Sequence, residues 1–288
     1  MEKIKLVLAK AMIKTATRFS SDILDDSSGR QDDAGSEKKK GRIITLFSTK
    51  GGVGKTVVAS NLAAYLALQK KNVCLVDFDL QFGDVALMLK IEPKESLYKA
   101  IEAGERLDKE MLESLFSYHE DSGLKVLLAP VKPDVSRVVS ETQVSRLLAL
   151  LTEIVDFVIV DTPSSLDRTT LAVVDASDRI LLVASMDLPS VKNVKIVLGM
   201  LEILNIEKSR INLVLNRADS RVGLSFEDIE QSIGKDISWT IPSDRIVPRS
   251  VNLGVPFVID APRAEVSRSF EKIGRLALDK IVKEKVIS

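Results

Sequence analysis

Between residues 42 and 70 an unbroken apolar run, RIITLFS, gives way to the glycine-rich TKGGVG and then to KTVVASNLAAYLALQK, which has helical periodicity. A buried strand, a turn of small residues and a helix in immediate succession leave few folds open, because a parallel strand must follow once the helix has crossed back over the sheet. The pattern then repeats. Strand-like runs occur at NVCLVD (72–77), LKVLLA (124–129), DFVIVD (156–161), RILLVAS (179–185) and INLVLN (211–216), with a weaker one at ISWTI (237–241). Their near-continuous Val, Ile and Leu suit strands covered on both faces. Helical patterns fall between or after them at 55–70, 142–154, 190–204 and 265–285. The expected fold class is α/β, a doubly wound and mostly parallel sheet.

Two regions precede this alternation. Residues 1–19 carry Ile4, Leu8, Met12 and Phe19 near one helical face, with Lys3, Lys10, Lys14 and Arg18 mostly elsewhere. Residues 20–41 are rich in Ser, Asp, Gly and Lys and too poor in apolar residues to order themselves, so they read as a flexible linker. The α/β domain is expected over 42–288.

Composition removes several function classes. Lys+Arg and Asp+Glu both number 41, so no global field draws the chain to nucleic acid. Cys74 is the only cysteine and lies in an apolar run, which excludes an intrachain disulfide and any CxxC metal pair. His119 is the only histidine and is expected to be an exposed loop residue. No apolar stretch reaches the ~18 residues of a membrane span, and the chain reads as cytoplasmic.

The glycine-rich turn carries the chemistry. Strand, then GKT, then helix is the context of a phosphate loop. Backbone N–H groups around Gly51, Gly52, Val53, Gly54 and Lys55 would ring the phosphates, and the helix N-terminus adds partial positive charge. Lys55 would reach the β- and γ-phosphates, and the Thr56 hydroxyl would hold Mg²⁺. Val57 completes the loop's contact set. Position 49 departs from the usual G-x-x-x-x-G-K-[ST] pattern, with Thr49 where glycine is expected and Lys50 behind it.

With that departure, KGGVGKT resembles the deviant Walker A box of the MinD/ParA ATPases, P-loop NTPases of the SIMIBI type. The resemblance implies that Lys50 reaches across a nucleotide-sandwich homodimer to phosphates held by the partner, so that ATP promotes dimerisation. LVDFDLQFGD follows the second strand and places Asp77 and Asp79 at its carboxyl end, where ligands of open α/β sheets bind. By resemblance, Asp79 orients the attacking water, Asp77 supports the Mg²⁺–water shell, and Asp161 of DFVIVDTP holds Mg²⁺ through water. Thr162 and Pro163 would begin a γ-phosphate-sensing switch, while Asp84 is either a switch residue or a helix cap. LVLNRAD nominates Asn216 and Arg217 for the adenine, and IPSDR nominates Pro242 and Asp244 for base and ribose.

Segments such as LVDFDLQFGDVALML, SMDLPSVKNVK and IPSDRIVPRSVNLGVPFVIDAPRAEVSRS look most like the CpaE/TadZ branch. That branch implies a Mg²⁺-dependent ATPase switch that positions or assembles a Tad/Flp pilus secretion apparatus, with pilus or secretion machinery proteins as partners. The alternatives are a ParA-like DNA partition ATPase, with a basic patch from Arg245, Arg249, Arg263, Arg268, Lys272 and Arg275, and a MinD-like regulator of division or flagellar placement. Residues 1–19 suit either a membrane-surface helix at the inner face of the cell membrane or a partner-docking or solvated helix. The 265–285 helix is expected to pack on the sheet through Val266, Phe270, Ile273, Leu276 and Ala277.

Overall fold

A computed structural model describes residues 40–131, 139–219 and 223–278. The segments 1–19 and 20–39 lie outside the described residues, so the amphipathic helix and most of the linker belong to the sequence alone. From the amino end run β1 (Arg42–Phe47), α1 (Lys55–Leu68), β2 (Val73–Asp77), α2 (Val85–Met88), α3 (Leu97–Ala103), α4 (Lys109–Ser114), β3 (Ser117–His119), β4 (Leu124–Leu127), α5 (Glu141–Ile154) and β5 (Phe157–Asp161). They are followed by α6 (Arg168–Ala176), β6 (Arg179–Ser185), α7 (Leu188–Ile203), β7 (Ile211–Asn216), α8 (Phe226–Ile233), β8 (Ile237–Ile241), α9 (Ile246–Leu253), α10 (Phe257–Asp260) and α11 (Glu265–Leu278).

The strands form one eight-stranded sheet in the order β3-β4-β2-β5-β1-β6-β7-β8. All pairs are parallel except β3 with β4. Placing β1 between β5 and β6 makes it the point where the winding reverses, and the crevice outside its carboxyl end is where such sheets take ligands. β1 also shows why its sequence is a solid apolar run. Ile44 and Leu46 pack with Leu62, Leu66, Phe257 and Phe270 on one face. Ile43 faces the opposite layer with Val144 and Leu148, and Phe47 joins Val174 and Val194 there. From Ile43 to Phe47 successive side chains alternate between two buried layers, so no position there is left for a polar residue to reach water. Thr45 is the polar residue among them, is itself buried, and pairs its hydroxyl with that of Ser177 at 2.6 Å.

Helix ends follow local chemistry. The α5 helix starts one residue earlier than its apolar pattern, because Ser140 and Gln143 close a capping box ahead of Glu141. The α7 helix starts at Leu188, capped by Asp187 and followed by proline in the first turn. Val266, Phe270 and Ile273 of α11 are buried as expected, while the side chains of Leu276 and Ala277 lie outside the described residues. His119 departs from expectation. It is the last residue of β3, buried, with Nδ1 2.9 Å from the Ser122 hydroxyl. A three-residue edge strand leaves too short a pattern to be read in SYHED, and burial lowers the imidazole pKa.

The α11 helix is held by an edge-to-face contact between Phe270 and Phe257 at 5.3 Å between ring centroids. Because Phe270 is wholly buried, Phe270→Ala should cost about 3–5 kcal/mol in urea unfolding. A loss below 1 kcal/mol would show that the helix is not integral to the core.

Candidate functional site

The carboxyl edge of the sheet collects the residues singled out in the sequence. At this edge Asp77 lies opposite Asp161, Asp161 opposite Leu46, and Ser185 opposite Asn216. The strands β2, β5, β6 and β7 therefore deliver polar termini to the same rim.

The loop after β1 begins with Ser48, whose hydroxyl donates to the Lys50 carbonyl at 3.0 Å. Gly52 and Gly54 have φ of 75° and 93°, in the region that a Cβ disfavours. Gly54 is the N-cap of α1 and offers no side-chain cap. Other helices of this chain are capped by Ser140, Asp167, Asp187 and Ser225. Leaving the first amides of α1 free keeps its N-terminus open to an anion.

The charged groups sit in tight relation. Lys55 is buried and its ammonium donates to the Ser164 hydroxyl at 2.8 Å. Burial lowers its pKa, while Asp161 and Asp79 oppose that shift. Asp161 is wholly buried, and desolvation pushes its carboxyl up to about 7 against the pull of the Thr56 hydroxyl bonded to it and of Lys55. Its Oδ1 has no hydrogen-bond partner. Asp77 is shifted up as well, first by burial and then by Asp161. Its oxygens accept from the amides of Asp79 at 3.1 Å and Val85 at 3.3 Å. Asp79 Oδ1 accepts from the Phe82 amide at 3.1 Å. Gly83 is obligatory here, since a Cβ would lie 2.5 Å from Asp77 Oδ2. Asp84 precedes α2 without capping it through its side chain. Thr162 is tied down by donating to the Leu46 carbonyl at 2.8 Å.

A buried carboxylate oxygen without a donor, beside a threonine hydroxyl, is an all-oxygen set of the kind a hard divalent cation and its waters satisfy. Thr56 and Asp161 thus fit Mg²⁺, completed by phosphate oxygens. Among the described residues no group of three or more His, Cys, Asp or Glu is placed to hold a metal unaided. Such an ion would depend on the phosphate.

Asn216, Arg217, Pro242 and Asp244 come together with Gly54 and Val57 around one cavity of about 390 Å³. Asn216 is engaged within its own chain. Its Nδ2 donates to the Val53 carbonyl at 2.7 Å, and its Oδ1 accepts from the Arg217 amide at 3.0 Å. It therefore ties β7 to the phosphate loop at the cavity's mouth, a contact that the strand-end asparagine alone did not announce.

Lys50 has a partner that sequence reasoning did not find. Its ammonium lies 3.0 and 2.9 Å from the two carboxylate oxygens of Asp187. Asp187 also accepts from the Ser185 hydroxyl and from the Ser190 amide. Burial disfavours its charge, yet these three donors hold its carboxyl below the usual range. Asp187 followed by Leu-Pro-Ser reads only as a helix cap, and the separation of 137 positions along the chain hides the pairing. Ser164 was missed for a similar reason, since a serine after a strand has no distinctive spacing.

A family model described as an AAA domain, AAA_31, matches residues 41–215. The chain belongs to that family. Its relatives place it among the MinD/ParA P-loop ATPases. It is 26% identical to the septum site-determining protein MinD of Thermotoga maritima, over 82% of this chain and 87% of that one. The ParA family ATPase of Chlorobium tepidum superposes with a TM-score of 0.73 at 29% identity, covering 83% of this chain and 99% of that one. The Pyrococcus horikoshii MinD solved with Mg-ADP shares the fold, with a TM-score of 0.70 at 22% identity, over 84% and 97% of the two chains.

Asp161 gives this MinD/ParA-type chain a pH signature. With its carboxyl raised to about 7, the folded state keeps a proton that the unfolded chain has already released. The contribution of Asp161 to nucleotide-free stability is therefore fully present at and below the ordinary carboxylate pKa, falls as pH rises to about 7, and levels off above it. Asp161→Asn should melt higher than wild type at pH 7.5 and show a shallower slope between pH 5 and 7.5. A slope for the Asp161 variant equal to that of wild type over that interval would contradict the burial account.

Proposed function

We propose that this chain is an ATP-dependent placement switch, in which ATP joins two copies and hydrolysis to ADP and phosphate separates them. The observation that carries it is the pairing of Lys50 with Asp187, beside a phosphate loop that already has Lys55. A second lysine is held in reserve on a carboxylate, in a salt bridge whose side chains remain 42% and 33% exposed. A triphosphate on a second copy offers it a stronger anionic partner.

In this reading the free amides around Gly51–Lys55 and the Lys55 ammonium bind and orient the β- and γ-phosphates. Thr56 and Asp161 would hold Mg²⁺, which supplies charge neutralisation at the phosphates, and Asp77 supports its water shell. Asp79 orients the attacking water in line with the γ-phosphate, and Lys50 of the second copy stabilises the charge that spreads over the phosphate oxygens. Asn216, Arg217, Pro242 and Asp244 enclose the base and ribose. Catalysis is then chiefly positioning and electrostatics, with slow turnover until a partner accelerates it.

The relatives are septum-site and partition proteins, which favours placement over the pilus-specific role implied by the CpaE/TadZ resemblance. Attachment to a membrane through the basic, apolar-periodic sequence of residues 1–19 suits the placement reading, because a dimer doubles a weak attachment. Among the described residues no helix is long and apolar enough to cross a membrane. DNA partition is the second reading. Its support is the exposed basic set of α9 and α11, where Arg249 and Arg275 meet carboxylates only at 4.0 Å. ATP-dependent DNA binding that weakens steeply with salt would favour it.

Gel filtration with light scattering, in ATP, ADP and no nucleotide, tests the switch. Wild type should dimerise with ATP only. Asp79→Ala should keep the ATP dimer and lose phosphate release by at least tenfold, whereas Lys50→Ala should bind nucleotide and remain monomeric. An ATP dimer of the Lys50 variant equal to wild type would refute the exchange of partners.

A further inference from the structure

A second cavity, of about 250 Å³, opens at the amino edge of the sheet between α7 and α8. Ile211 begins β7 at this edge and Asn216 ends it at the other, so the two cavities stand on the order of 15 Å apart along the strand. The floor is apolar, formed by Leu198, Ile206, Ile211 and Ile233. The rim is basic, with Lys195, Lys208 and Lys235 against the single carboxylate Glu202.

That carboxylate is already committed. Glu202 takes the Lys208 ammonium at 2.7 Å. Lys235 donates only to the Lys208 carbonyl, at 3.3 Å. Burial lowers its pKa, and the neighbouring Lys208 adds to the shift while Asp236 opposes it. Among the described residues neither Lys195 nor Lys235 forms an ion pair. Lys235 is part-buried beside an apolar recess with no ion-pair partner among the described residues, and an anion in the recess would supply one.

The wall adds a second, independent observation. Gly199 lies inside α7 and lines the cavity, where a Cβ would meet nothing within 4 Å. Packing does not require this glycine, and a helix interior disfavours it relative to alanine. What it leaves is open space at the cavity wall.

We propose that this cavity binds a small organic anion, a compact apolar body carrying a phosphate or carboxylate. Lys195 and Lys235 take its charge, and Leu198, Ile206 and Ile233 take its body. The recess is smaller than the 390 Å³ cavity at the opposite edge.

Phenyl phosphate, benzoate and inorganic phosphate, each titrated into the full chain at fixed ionic strength, test this by amide NMR. The resonances of Gly199, Gly234 and Lys235 report the cavity, and those of Gly51, Gly52 and Gly54 report the phosphate loop separately. Saturable shifts at the first set are expected with phenyl phosphate or benzoate, with the more tightly bound probe identifying the head group. Inorganic phosphate, lacking the apolar body, should bind there at least fivefold more weakly than that probe. Lys235→Gln should weaken the tighter probe at least fivefold, and Gly199→Leu should abolish its binding with the circular dichroism spectrum preserved. Non-saturating shifts with both aromatic probes would overturn the site. Equal binding by the Lys235 variant, or inorganic phosphate matching the better aromatic probe, would overturn it equally.

Discussion

Two parallel strands of this sheet end in register on carboxylates, and neither can be charged there without help. Asp77 and Asp161 are both buried and both shifted toward the neutral form. Water cannot reach them to compensate, so the protein must supply positive charge or accept protonation. The surrounding structure follows from that constraint. Lys55 is buried within electrostatic reach of Asp161. Thr56 turns its hydroxyl to the same carboxylate, and Gly83 has no side chain because one would strike Asp77. One carboxylate oxygen remains unmatched. A chain that keeps such a site folded without ligand gives up stability near neutral pH and recovers it when a cation and a polyanion arrive together.

The sheet gives this constraint its position. In a parallel α/β architecture every strand arrives from the same direction, so polar residues that end strands far apart in sequence meet at one edge. Asp77, Asp161, Ser185 and Asn216 span about 140 residues of chain yet share that rim. The phosphate loop enters there because β1 is the reversal point, with β5 on one side and β6 on the other.

Much of this was legible because it is local. A strand that packs on both faces announces itself by apolar continuity, and the helix at Lys55 was expected from glycine followed by GKT. Strand-end aspartates could be nominated for the same reason. The pairing of Lys50 with Asp187 and of Lys55 with Ser164 was not legible, because each joins segments more than a hundred residues apart through residue types common in loops. His119 failed in the opposite sense. The stretch SYHED looks polar and exposed in sequence, while a short antiparallel edge strand buries His119. Local chemistry specified which groups reach the rim, and only the fold shows which of them neutralise one another.

Asp187 illustrates how one residue can couple two requirements. As an N-cap it accepts the Ser190 amide and fixes the start of α7, a long helix on the outer layer. As a counter-ion it takes both hydrogen bonds from Lys50. In the proposed exchange, losing Lys50 would leave Asp187 with the Ser185 hydroxyl and the Ser190 amide, so the helix cap would survive. That asymmetry makes the lysine the expendable partner. Its salt bridge is partly exposed and contributes little on the scale of exposed ion pairs, whereas the cap and the hydroxyl bond remain. A weak internal hold is what a transferable cation requires, because a tighter one would compete with any phosphate offered by a second copy.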